Sequence, residues 1–314
     1  MIAVEKIDIE VNKLMGKKLT IGIVTMNREE QLAEALYSCL RTDLPNETEF
    51  VVIDNASTDN TEKVVKEILT NSGYEYYYEK LPENIGCGRG RNYAFSKSCG
   101  LYYYSLDDDA VIDEHCKKFF LYALDILDKN TGIVTLTTQI YDTAWKRDRL
   151  DRTSVKLEDD LYECKMFCGG SHFLRRDFFK EAPYFSNRYG YEEIPPSLYV
   201  VDAGCKNVFC SAIRIIHNPK VNKWNCSDEK NHTLFINECV LQYVIKSAIY
   251  PKMVKPILYM AYKARCWRHL KHVPNWKQRT NDLLSQAKDN AKSLQRIRLR
   301  TVIELYKKFG NAIF

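Results

Sequence analysis

Asp107, Asp108 and Asp109 stand in a row directly after Leu101-Tyr102-Tyr103-Tyr104-Ser105-Leu106. The six preceding residues are apolar and β-favouring, and they predict a buried strand. Three carboxylates therefore gather where that strand ends. Like charges at this spacing raise one another's pKa and oppose folding unless a cation joins them. Hard oxygen donors suit Mg²⁺ or Mn²⁺, ions that carry phosphates; a solvated acidic turn is the plainer alternative. Two further groups are of types that do chemistry. Glu192 and Glu193 form an adjacent acidic pair, either a base or a surface pair. His217 follows the stretch Ile213 to Ile216, and its imidazole is either a metal ligand or a structural group.

The elements that must position these groups alternate. Residues 19–26 read as a buried strand, after which Asn27 is expected to N-cap a helix, with Glu30 completing a capping box. Leu32, Ala35, Leu36, Cys39 and Leu40 form that helix's apolar face. Phe50 to Ile53 make a second strand ending at Asp54, and Asp59 with Glu62 opens a helix carrying Val64, Val65, Ile68 and Leu69. A third strand covers Tyr74 to Tyr78, a third helix includes Asn92 to Cys99, and the strand before the aspartates follows. Such alternation gives a parallel sheet wrapped by helices. Sheets of that kind bind ligands at the carboxyl ends of their strands, where Asn27, Asp54 and the aspartates lie.

Beyond residue 110 the pattern loosens. A helix is expected over His115–Leu127, a strand over Gly132–Tyr141, a polar loop or hairpin over 142–165, and short strands with a helix over 166–217. From Leu234 the chain reads as mainly helical, and Leu283, Ala287, Ala291, Leu294, Val302 and Leu305 outline an apolar stripe near Arg296, Arg298 and Arg300.

Composition narrows the class. The chain has 314 residues, enough for one large α/β domain or for one domain plus an appendage, and 28% charged with 45% hydrophobic residues is ordinary for a globular protein. No apolar run is long enough to span a bilayer, and the start, Met1 to Lys6, lacks a signal peptide's apolar core. Eleven scattered cysteines without a C-x-x-C pair suggest reduced thiols and a cytoplasmic setting. The net charge of +5 hides an asymmetry: from Lys252 to Phe314 there are fifteen Lys/Arg against three Asp/Glu, so the rest carries −7. A basic tail on an acidic body suggests an anionic partner, such as lipid headgroups at the inner face of a membrane, a lipid-pyrophosphate or nucleic acid, or else a solvated helical surface. No nucleic-acid motif is present, and none is expected as a partner.

Several nucleotide sites fail. A dinucleotide fold needs G-x-G-x-x-G directly after the first strand, whereas the glycine cluster Gly86-Cys87-Gly88-Arg89-Gly90 has another spacing and follows Pro82-Glu83-Asn84. No P-loop sequence occurs, and the loop from Asp54 lacks the central glycine of an EF-hand. What remains is a sheet whose strands deliver polar residues and whose fourth strand delivers a metal site.

Four segments in register then carry a resemblance: TIGIVTMNREEQLAEALYSCL, VVIDNASTDNT, ENIGCGRGRNYAF and SLDDDA. Together they resemble glycosyltransferase family 2 from about residue 19 to 250. The resemblance implies an α/β GT-A fold, the nucleotide-diphospho-sugar transferase architecture: a mostly parallel central sheet flanked by helices, here with a helical C-terminal extension. The implied division is 1–250 for the catalytic domain, with a donor half at about 19–110 and an acceptor half at about 111–250, and 251–314 for the basic extension. It further implies that Thr25, Asn27 and Arg28 line the nucleotide pocket and that Asp54 accepts a hydrogen bond from the base. Asn84, Gly86, Arg91 and Asn92 would hold ribose and diphosphate, as a buried arginine can; Arg89 is expected to face solvent. Asp107 and Asp108 would stand beside the donor, with Asp107 on the ribose or a metal-bound water. Asp109, with Asp107 and His217, would hold Mn²⁺ or Mg²⁺.

The segment Tyr189-Gly190-Tyr191-Glu192-Glu193 is similar to the family's acidic motif near the acceptor, and Gly204 and His217 follow at the family's spacing. Two departures stand out: Glu193 replaces an aspartate, and Pro195 stands where another is usual. Pro195-Pro196 suits a helix's first turn, so the backbone is expected to persist while a charge is lost. The base is Glu193 by alignment, or Glu192 in its place. Gly169-Gly170 is similar to the glycine pair beside the donor sugar, and Trp145, Tyr141 and the 142–165 loop are placed to meet the acceptor. The implied activity is inverting transfer from a nucleotide sugar, UDP-sugar favoured, to a saccharide, lipid-linked or peptide acceptor in glycan biosynthesis. Alternatives are a polyprenol-phosphate sugar transferase at the membrane, a peptide glycosyltransferase and an inactive sugar-nucleotide binder.

Overall fold

The structure, a computed structural model, describes residues 16–149, 154–179, 182–187, 190–219 and 228–314. The start of the chain and part of the 142–165 loop lie outside these residues. The expected alternation is present: β1 (Leu19–Thr25), α1 (Glu29–Leu40), β2 (Thr48–Asp54), α2 (Thr61–Thr70), β3 (Glu75–Lys80), α3 (Cys87–Lys97) and β4 (Tyr102–Asp107). β1, β2, β3 and β4 are mutually parallel in the order β3-β2-β1-β4. Their side chains alternate between two apolar layers, as a period of two requires. Phe50, Val52, Tyr102 and Tyr104 enter one layer with Leu32, Leu36 and Val65 of the helices, while Val51, Ile53 and Tyr103 enter the other with Ala94 and Phe95. Covering both faces is what makes these strands read as continuous apolar runs. The edge strand β3 is only half covered and carries Glu75, Glu79 and Lys80, charges that discourage pairing with another chain.

Two expected helix caps are replaced. Asn27 does not cap α1: it takes a left-handed conformation (φ 53°), and its side-chain oxygen accepts the Thr58 N–H at 2.7 Å. The residue before α1 is Arg28, without a side-chain cap. Asn27 thus ties two strand-to-helix loops together, because a short amide tolerates a positive φ and bonds locally. Asp59 accepts the Thr61 N–H at 3.1 Å, but the residue before α2 is Asn60, without a side-chain cap, and Glu62 pairs with Lys66 rather than closing a box.

After β4 come β5 (Ala110–Ile112), α4 (Phe119–Lys129), β6 (Ile133–Asp142), β7 (Arg147–Asp148), β8 (Val155–Lys156), β9 (Leu161–Cys164), β10 (Ser171–Arg175), α5 (Ile194–Asp202) and β11 (Lys206–His217). The sheet continues β4-β10-β6-β11-β9-β8, with β10 antiparallel to both neighbours and β11 parallel to β6. Tyr104, Phe119, Phe120 and Phe173 pack into one aromatic cluster that joins the halves; the Tyr104 and Phe173 rings are 4.4 Å apart. Pro195 and Pro196 occupy the first turn of α5, and Gly204 follows it at φ 84°, both as the sequence predicts.

The chain ends in α6 (Asp228–Ile249), α7 (Lys255–Leu270), α8 (Trp276–Asn290) and α9 (Leu299–Phe309). Their core takes in Ile194 and Leu198 of α5 as well as Val240, Leu258, Cys266, Ala287, Ala291, Val302 and Leu305. The helical region is therefore packed against α5. Among the described residues, no helix is long and apolar enough to cross a membrane.

Candidate active site

Register places the first polar groups. Thr25 pairs with Asp54 across β1 and β2, and Val24 pairs with Asp107 across β1 and β4. Thr25, Asp54 and Asp107 therefore end three adjacent strands along one sheet edge. The chain reverses through Asp108 and Asp109 into β5, which runs antiparallel to β11 with Ala110 opposite His217. The Asn218 N–H donates to the Asp109 carbonyl at 2.8 Å. That short pairing brings His217 back beside the triplet.

Asp107, Asp109 and His217 each offer one ligand atom, all within 4.8 Å of one another. His217 Nε2 is 3.3 Å from Asp109 Oδ1, and its Nδ1 is 3.1 Å from Asp142 Oδ2. Asp142 is buried at the end of β6 and also takes Arg149 Nη2 at 2.7 Å. A carboxylate behind an imidazole fixes the ring and leaves the far nitrogen facing the ion. Two carboxylate oxygens and one such nitrogen fit a divalent cation.

Protein cations already share this edge. Arg28 Nη1 is 2.7 Å from both Asp108 Oδ1 and Asp109 Oδ2. Burial raises Asp109, but His217 and Arg28 outweigh it and hold the group below the usual carboxylate range. Burial dominates at Asp108, which is pushed up to about 6 despite Arg28. His217 stays protonated above its ordinary range because Asp109 outweighs its burial.

The residues expected on the nucleotide side divide. Asp54 is buried, accepting the Ser57 N–H at 2.7 Å through Oδ1 and the Tyr78 hydroxyl at 2.8 Å through Oδ2. Asn84 accepts from Asn55 Nδ2 and from the Gly86 N–H, which shapes the loop before α3. Gly86 has φ 89°, open to glycine at little cost. Arg89 is exposed, as expected. Asn92 turns inward instead: it donates to the Tyr184 carbonyl at 2.7 Å and accepts the Tyr184 N–H at 2.8 Å, fastening the segment around Tyr184 to α3.

Arg91 is the largest departure from the sequence reading. It is buried, and its guanidinium contacts Asp107, Glu192 and the Gly169 carbonyl, with Glu193 Oε1 at 3.7 Å. Arg91 therefore joins the aspartate edge to the glutamate pair. Glu192 is buried against it, with the Cys87 thiol donating to the same oxygen at 3.4 Å. Glu193 stands just before α5 and lies over Gly169, where an added Cβ would come within 1.8 Å of its Oε1. Burial and the charge of Glu192 push Glu193 up to about 8. Gly170 is held against Asp107, 3.3 Å from where its Cβ would stand. On the far side, Arg147 and Arg149 each stack on the half-exposed Trp145 at 5.5 Å.

The family model described as "Glycosyl transferase family 2" matches residues 20–182, more than half of the chain. The chain belongs to glycosyl transferase family 2. This transferase is similar in fold to S. aureus TarS 1-349 solved in complex with UDP-GlcNAc: TM-score 0.60, 16% identity, 94% of this chain and 89% of that one. It is also similar to the mannosyltransferase PcManGT from Pyrobaculum calidifontis, in complex with GDP-Man and Mn²⁺ (TM-score 0.56, 16% identity, 95% and 81%). A third likeness is GalNAc-T7 with UDP, GalNAc and Mn²⁺ (TM-score 0.59, 13% identity, 94% and 57%). These give the transferase a GT-A fold. A curated relative, an uncharacterised protein of Haemophilus influenzae, is 28% identical over 97 residues, and the matched part spans 52% of its length.

Asp142, Arg149 and Tyr78 escaped the sequence reading. Asp142 had a usable signal, since it closes a predicted strand as Asp54 and Asp107 do. Arg149 and Tyr78 had none, because their partners are set by tertiary contacts.

Proposed function

We propose that the transferase moves a sugar from a nucleoside-diphosphate sugar, a UDP-sugar before others, to an acceptor nucleophile with inversion at the anomeric carbon. The observation that carries this reading is the pairing of a three-ligand edge with two adjacent glutamates, one buried arginine apart. Asp107, Asp109 and His217 hold the divalent ion, and the imidazole in the set favours Mn²⁺ over Mg²⁺. When bound, that ion supplies positive charge for the departing diphosphate. Thr25, Asn27, Asp54 and Asn84 line the nucleoside side, and Gly169 and Gly170 let the sugar approach the backbone closely. Glu193 takes the acceptor's proton as its oxygen attacks the anomeric carbon on the face opposite the diphosphate. A pKa near the working pH suits a general base. Glu192, spent on Arg91, keeps Glu193 high by its charge. Residues up to about 250 form the catalytic unit, and 251–314 form an extension that shares a core with α5.

A thermal-shift screen of nucleotide sugars with and without Mn²⁺ identifies the donor, since a bound ligand raises the melting temperature by mass action. Mn²⁺-dependent hydrolysis of the best donor should fall by about 10²–10³-fold in Asp109→Ala. Turnover that persists in chelated buffer would overturn the reading.

A further inference from the structure

The outer face of α7 has no packing partner among the described residues and carries unusual chemistry. Leu258, Tyr262, Cys266 and Leu270 recur every fourth residue and are buried in the helical core. The opposite side should be polar on a solvated helix. Instead Met253 is 68% exposed, Ile257 44%, Met260 65% and Trp267 62%, with exposed Ala264 between them. Their spacing of four and three residues sets them on one side of the helix and its lead-in turn. Exposed Lys252, Lys255, Lys263, Arg268 and Lys271 surround this stripe. Lys271 also lies 4.9 Å over the Trp267 ring. From Lys252 to Asn281 there are eight Lys/Arg and no Asp or Glu.

We infer that this face lies on an anionic lipid bilayer, with Met253, Ile257, Met260 and Trp267 entering the headgroup boundary and the surrounding cations meeting lipid phosphates. A helix in the interface plane needs this combination of large apolar side chains, tryptophan and flanking lysines. A second copy of the chain is a poor occupant, because a two-fold contact repeats the same patch on both sides and would set these cations against one another. The inference stands apart from the transfer chemistry, since it uses none of the residues at the sheet edge.

Flotation of the whole chain with vesicles tests it. Binding is expected to vesicles of phosphatidylcholine mixed with phosphatidylglycerol, not to phosphatidylcholine alone, and to vanish in high salt. The double variant Met260→Asp, Trp267→Asp should lose about tenfold or more in bound protein. Lys263→Glu with Lys271→Glu reads the charge requirement separately, and Tyr37→Asp, at an exposed site on α1, should float like the unmodified chain. Donor-dependent thermal shifts of the soluble variants should match those of the unmodified chain, which separates loss of docking from loss of the active site. Absence of flotation by the unmodified chain, or full flotation by both double variants, overturns the inference. So does a dimer in solution that the Met260 and Trp267 changes abolish, since the face would then belong to a second copy.

Discussion

The aspartate triplet and the glutamate pair are both tight acidic clusters, yet they are compensated differently. The triplet meets Arg28 on one side and His217 on the other, and Asp109 is held ionised below its usual range. The pair meets a single guanidinium, Arg91, which Asp107 also claims. One cation cannot neutralise three carboxylates in a buried space, so Glu193 keeps a proton up to about 8. Residues of the same chemistry are thus sorted by burial and by the number of cations within reach. Under the proposed function, the first arrangement would supply ligands and the second a base.

Arg91→Leu breaks both clusters and should have the largest effect. Removing one partner of a buried ion pair costs about 3–5 kcal/mol, read as a lower denaturation midpoint, and Arg91→Lys should recover only part because it cannot fork between partners. Glu193→Gln should lower kcat by about 10²–10⁴-fold while leaving the donor-induced thermal shift in place. Its pH signature is specific. The unprotonated form accumulates as pH climbs through about 8, so kcat should rise toward alkaline pH. Stability should run the other way. Between the ordinary glutamate range and about 8, the folded chain keeps a proton that the unfolded chain has lost, so unfolding free energy declines with pH. Glu193→Gln should flatten that decline.

At the other cluster, Asp109→Ala should reduce Mn²⁺-dependent turnover by about 10²–10³-fold, the several kcal/mol a metal contributes. Asp142→Asn should act more gently, weakening the metal titration by about 10–100-fold with the fold intact. Tyr78→Phe is the smallest change: it removes one hydrogen bond to Asp54 and should cost about 1 kcal/mol in stability.

Residues 19–110 were legible because β1, β2 and β4 are buried on both faces and the helices keep one apolar stripe. Asp54 and Asp107 could be placed at strand ends from periodicity alone. His217 was legible only through its spacing, and its neighbours Asp142 and Arg149 were not, because β5, β6 and β11 converge from distant parts of the sequence. Arg91 shows the limit most plainly. Its type and helix were readable, but a guanidinium reaches far enough to choose among several partners, and only the packed structure selects carboxylates. Asn27 failed for a local reason, since its side chain serves the neighbouring loop rather than its own helix.

Arg91 reaches Asp107 and Glu192 with different nitrogens of one planar group. Any redesign that exchanges residues 19–110 for those of another family member removes the guanidinium these glutamates face, and any change at the glutamates is felt at Asp107. Substitutions on opposite sides of the cleft should therefore combine non-additively, and directed evolution of donor choice and acceptor choice will have to proceed jointly rather than in sequence.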